Sequence, residues 1–95
     1  MALFIIKIYT ENSEDNTRID SVLTSALRDF RYTAINSVDE IDPAQIGGAQ
    51  LLFAVALGKY GVNSNYSRLL FKLRSETDLL KGCTSAILMD GDSEL

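Results

Sequence analysis

Seven consecutive apolar residues, Leu51-Leu52-Phe53-Ala54-Val55-Ala56-Leu57, constrain this chain more than any other stretch. No charge interrupts them, which suits a strand buried on both faces in the middle of a parallel sheet. The run stops at Gly58-Lys59-Tyr60-Gly61-Val62-Asn63-Ser64-Asn65, a loop of glycines and hydrogen-bonding side chains, and a helical pattern opens at Tyr66. In open α/β sheets ligands lie outside the carboxyl ends of the strands, so this junction is the first place to expect a site.

The rest of the chain supplies the partners such a strand needs. Residues 3–9 are apolar, β-branched and aromatic, a first strand. Ile19, Val22, Leu23, Ala26, Leu27 and Phe30 then recur at i, i+3, i+4, i+7, i+8 and i+11, the apolar stripe of a helix. Asn16 or Thr17 serves as its N-cap and Asp20 puts negative charge in its first turn. Arg28 and Arg31 sit at its C-terminal end, where the helix dipole favours cations. Residues 32–38 form a shorter, more polar strand suited to a sheet edge.

Asp42-Pro43 reads as a cap followed by proline at the first helical position, and Gly47-Gly48 ends the short helix they start. Tyr66, Leu69, Leu70 and Leu73 set a further helical stripe, with Ser64 as its cap. Residues 83–89 are the last strand, opened by Cys83 as a small buried residue. The order β-α-β-α-β-α-β predicts a three-layer α/β fold built on a parallel, doubly wound sheet.

Ninety-five residues make one domain, residues 1–95, with a modest core. Four parallel strands ending near residue 89 leave the last one unpaired. The expectation is therefore that a C-terminal strand and helices are missing, or that a second subunit forms a homodimer over that edge. A net charge of −4 argues against nucleic acid and anionic membranes as partners, since both demand a basic footprint. No run approaches the ~18 apolar residues of a membrane span, and the start lacks the features of a signal peptide. The single cysteine forms no internal disulfide and suits a reducing, cytoplasmic setting. Histidine is absent, which removes Ser-His and zinc-His chemistry. Asp90 and Asp92 alone do not make a metal site.

Three segments carry a resemblance. Asn16-Thr17 follows a first strand and its loop. Gly58-Lys59-Tyr60-Gly61-Val62-Asn63-Ser64-Asn65-Tyr66 leads into Leu69-Leu70-Phe71-Lys72, and Asp90-Gly91-Asp92-Ser93 follows the last strand. In that order they resemble the N-terminal portion of the flavodoxin-like NADPH-dependent FMN reductase family. The resemblance implies FMN as cofactor and NAD(P)H as reductant. It also implies that Asn16 and Thr17 lie at the FMN phosphate, that Tyr60, Gly61, Asn63 and Ser64 border the isoalloxazine, and that Gly91 allows close backbone approach to the flavin. The family's first loop carries glycine, proline and arginine, whereas residues 10–15 here hold three carboxylates and none of these. The alternative expectation is a flavodoxin-like module that has lost flavin and acts through oligomerisation or protein interaction.

Overall fold

The computed structural model describes residues 2–11, 13–57 and 63–90. Strands β1 (Leu3–Ile8), β2 (Thr33–Ile35), β3 (Gln50–Ala56) and β4 (Thr84–Asp90) form one all-parallel sheet in the order β2-β1-β3-β4. Between them lie helices α1 (Ser13–Ala26), α2 (Pro43–Ile46) and α3 (Ser64–Ser75), with a 3-10 turn over Val38–Glu40. This is the expected α/β architecture, and its strand order is that of the first four strands of a flavodoxin-like sheet.

Period-2 alternation sorts the core into two clusters. Phe4, Ile6 and Ile8 of β1 join Leu51, Phe53 and Val55 of β3 on one face, packed against Val38, Ile46, Leu69 and Leu79. Ile5, Ala54 and Ala56 take the other face, beneath Ile19 and Leu23 of α1. β3 is thus buried on both sides over most of its length, as its apolar run requires. The chain leaves β1 through α1 on one face to reach β2. It then crosses the sheet through α2 and α3 on the opposite face. The winding reverses between β1 and β3, which makes the carboxyl ends of those two strands the switch point.

Local signals hold at α2. The Asp42 side chain accepts from Ala44 N–H at 3.0 Å, Pro43 follows at the first helical position, and Gly47 is the C-cap. Gly48 then takes φ +74°, a conformation that L side chains rarely adopt. Other expectations are corrected. α1 begins at Ser13, with Glu14 and Asp15 in its first turn, so Asn16 and Thr17 lie inside the helix rather than capping it. It ends at Ala26, so Phe30, Arg28 and Arg31 fall beyond it and Phe30 is 61% exposed; Val22, inside the helix, is 47% exposed. The cap of α3 is Asn63, with Ser64 the first helical residue.

β2 is at an edge, as its polarity suggests, but only three residues long, because Ser37 turns away to cap the 3-10 turn. β4 is the other edge, as four parallel strands imply, and it is largely exposed, so Cys83 does not open a buried strand. The reason is its place in the sheet order: α3 packs chiefly over β1 and against the 3-10 turn. Cys83 stands just before β4, partly buried, its thiol donating to the Ile46 carbonyl.

Candidate functional site

Strands that end at a switch point expose carbonyls with no ladder partner, and buried carbonyls need one. Three asparagines meet that need here. Asn63, only 7% exposed, donates from Nδ2 to the Ile8 carbonyl (3.0 Å) and the Ala56 carbonyl (2.6 Å). Its Oδ1 accepts from Tyr66 N–H at 3.0 Å. One carboxamide therefore joins the end of β1 to the end of β3 and caps α3. Asn65 Nδ2 donates to the Tyr9 carbonyl at 2.7 Å. Asn16 closes both backbone groups of Thr10, accepting from its N–H at 3.0 Å and donating to its carbonyl at 2.8 Å. That tertiary pairing explains why Asn16 serves better inside α1 than at its cap. Asn16→Ala is expected to lower stability by about 1–2 kcal/mol, the cost of unpairing the Thr10 groups, as read from a urea unfolding curve.

Beside this junction lies a crevice of about 260 Å³ lined by Thr10, Glu11, Asn63 and Ser64. Its surroundings are acidic. Glu11 is on its wall, and Glu14 and Asp15 occupy the first turn of α1. Among the described residues, Asp15 carries a buried carboxylate oxygen without a hydrogen bond, while its other oxygen lies 3.6 Å from Arg18. Arg18 also reaches Asp90 at 2.5 Å. A further anion at ~5 Å from one carboxylate meets a repulsion of about 1 kcal/mol in water and about 3 kcal/mol at an effective dielectric of 20. Among the described residues the fit to the phosphate of FMN is poor: the Thr10 N–H is turned to Asn16, and Glu11, Glu14 and Asp15 outweigh Arg18 in the charge they bring. Ser64, on the same wall, is exposed.

The expected site residues therefore part company. Asn63 and Ser64 share the crevice. Asn16 ties the loop after β1. Thr17 lies on the outer surface of α1 with Asp20, Ser21, Thr24, Ser25 and Arg28, along a separate depression. Tyr60, Gly61 and Gly91 lie outside the described residues. Sequence reasoning missed Asn65 and gave Asn63 to a ligand. The available signal was an Asn three residues before the helical Tyr66, the spacing of a side-chain cap. Among the described residues no cluster of His, Cys, Asp or Glu is placed to hold a metal, and no helix is long and apolar enough to cross a membrane.

A second polar group lies on the α1 side of β1. Tyr9 donates its hydroxyl to Asp20, Lys7 Nζ lies 3.3 Å from Asp20, and the same ammonium stands 5.6 Å from the Tyr9 ring centre. Burial first, then the hydrogen bond to Asp20 and its charge, push the Tyr9 phenol well above its ordinary value of 10.0. The folded phenol holds its proton when the unfolded one has lost it, so this contribution is complete below the unfolded value and fades as pH rises through and beyond about 10. The urea midpoint is expected to fall between about pH 9 and pH 11. Tyr9→Phe is expected to show a shallower fall over that interval.

No protein-family model, curated protein or solved structure matches the chain. Topology gives the fold, and a fold does not give a function. The function has to be argued from surfaces.

Proposed function

We propose that this chain acts through association, as a flavodoxin-like α/β module of the cytoplasm that presents the free edge of β4 to a partner and has no flavin chemistry of its own. The supporting observation is β4. Natural edge strands are kept short or carry lysine, proline or bulges that deter pairing. β4 has seven residues, Thr84–Asp90, with no charge before Asp90, and leaves Ile87 59% and Met89 45% exposed. Exposed apolar side chains along an edge that no described residue covers suit an interaction surface. Light scattering across a dilution series tests this. The expected mass rises with concentration, and a constant monomer mass would sink the proposal.

The crevice at the switch point favours a second reading, an FMN-binding NAD(P)H-dependent oxidoreductase or a part of one. Bound flavin supplies the hydride chemistry in such enzymes. Here Thr10 and Ser64 would contact the ring edge while Asn63 holds the strand ends rigid beneath it. With no phosphate site among the described residues, this reading expects riboflavin and FMN to bind with similar affinity. A marked preference for FMN in a fluorescence titration would contradict that.

A further inference from the structure

We propose that the outward face of α3 docks an acidic segment of a partner protein, whose apolar side chains settle on either side of Phe71 while its carboxylates meet Arg68, Lys72 and Arg74. This surface is separate from the edge of β4, and its use does not depend on that edge. Each residue of an α-helix is rotated about 100° from the one before it. Tyr66, Leu69 and Leu73 of α3 face the core, with Leu69 only 3% exposed. Phe71, two residues after Leu69, therefore stands about 200° round the axis, on the crest that points away from the sheet. The ring is 69% exposed there, and Leu70 beside it is 50% exposed.

That position decides what can cover it. In a layered α/β fold each helix buries its inner stripe on the sheet and lies beside its neighbours in the same layer. A further strand or helix added to this sheet would therefore reach the inner face or a flank of α3. Leu70, on a flank, is open to such a neighbour. Phe71 is not, and an occupant of the crest comes from outside the three layers.

The surface around the ring is shaped. A groove of about 430 Å³ lies between the 3-10 turn and α3, lined by Val38 and Asp39 of the turn and by Arg68, Phe71, Lys72 and Glu76. Leu70 and Arg74 stand on the opposite side of Phe71 from Arg68 and Lys72, and with Ser67 and the same ring they bound a second hollow of about 480 Å³. Two hollows divided by one aromatic side chain suit two apolar anchors from a partner, with the ring held between them.

Charge selects the chemistry of the occupant. The chain carries −4 overall, yet α3 contributes +3 through Arg68, Lys72 and Arg74 and holds no carboxylate, which leaves −7 for the rest. An acidic segment is repelled by the remainder of the molecule and drawn to this helix, the arrangement that steers association. Arg68 pairs with Asp39, and Lys72 lies 3.1 Å from Glu76. Both carboxylates are more than half exposed, and ion pairs in water are weak enough for a partner carboxylate to share. Among the described residues Arg74 has no ion-pair partner. A nucleic acid suits this face less well, because three cations, two of them accompanied by carboxylates, give a phosphate backbone few contacts and leave the two hollows empty.

The experiment lets the surface choose its ligand. Short random peptides displayed on phage are selected against the 95-residue chain, and the most enriched peptide is synthesised and titrated by fluorescence anisotropy. The enriched sequences are expected to carry two apolar residues among Asp and Glu. The dissociation constant of the peptide is expected to rise at least about tenfold in Phe71→Ala and in Arg74→Glu, and to rise with added salt. Both positions are exposed, so the variants should keep the fold, which circular dichroism checks. Enrichment of basic or uncharged peptides, no enrichment at all, or equal affinity of an acidic peptide for wild type and Phe71→Ala overturns the proposal. Two further outcomes do the same by naming another occupant. Tighter binding of single-stranded oligothymidylate than of the peptide would give the face to nucleic acid, and loss of self-association in Phe71→Ala would give it to a second copy. A monomeric wild type that still binds the acidic peptide would leave this surface standing while the reading of β4 fails.

Discussion

Replacing Asn63 by alanine should cost about 3 kcal/mol, a large share of the ~5–15 kcal/mol that holds a domain of this kind together. The side chain is nearly buried and makes three hydrogen bonds: Nδ2 to the Ile8 and Ala56 carbonyls, and Oδ1 from Tyr66 N–H. Loss of the cap alone costs ~1 kcal/mol, and each carbonyl left unpaired at the junction adds ~1 kcal/mol or more. Asn63→Asp separates the two parts. It keeps an acceptor for Tyr66 N–H but loses both donors and sets a carboxylate against two carbonyls. Most of the loss should therefore persist in Asn63→Asp. A urea midpoint for that variant close to wild type would show that capping, not the bridge between β1 and β3, is what Asn63 contributes.

Phe53→Ala should be at least as damaging, at about 3–5 kcal/mol. Phe53 is 3% exposed on the inner strand β3, in a cluster that includes Phe4, Ile6, Leu51 and Leu69, so its removal leaves a cavity in the core. For a chain of this size the melting temperature falls by about 4–8 °C per kcal/mol, so the variant is expected to melt more than about 12 °C below wild type. Phe71→Ala is the internal comparison. Phe71 is 69% exposed on α3, and its removal should change stability by no more than about 0.5 kcal/mol. The same substitution at two phenylalanines thus separates core from surface in one calorimetric series.

The sheet was legible because burial and sequence say the same thing at β1 and β3: runs of Ile, Leu, Val and Phe with a period of two cover both faces of inner strands. α2 was legible because Asp42, Pro43 and Gly47 each act within a few residues of themselves. What failed was decided at a distance. Asn16 has the chemistry of a cap, but Thr10 recruits its amide across the loop, and the helix starts earlier, at Ser13. Phe30 continues the arithmetic of the α1 stripe, but the helix has already ended at Ala26. The apolar stretch in β4 was legible as an unpaired edge; how much of its faces the helices leave uncovered was not, because no local pattern encodes where helices pack.

For the candidate site, the sequence pointed to the strand ends, and what it did not reveal is the hydrogen bonding of Asn63 to the backbone there. The carboxyl ends of β1 and β3 do bound a crevice, and Asn63 and Ser64 do line it. Asn63 is nevertheless committed to the fold, because a switch point leaves carbonyls that something must satisfy. Polar residues gathered at such a place answer the needs of the backbone before those of any ligand.

Sedimentation equilibrium of the 95-residue chain in the presence of FMN, followed at both protein and flavin absorbance, is the most direct test of function by association through β4. The expected result is a mass that shifts toward twice the monomer as concentration rises, with the flavin signal remaining unsedimented. A monomer at all concentrations, carrying one sedimenting flavin per chain, would contradict it.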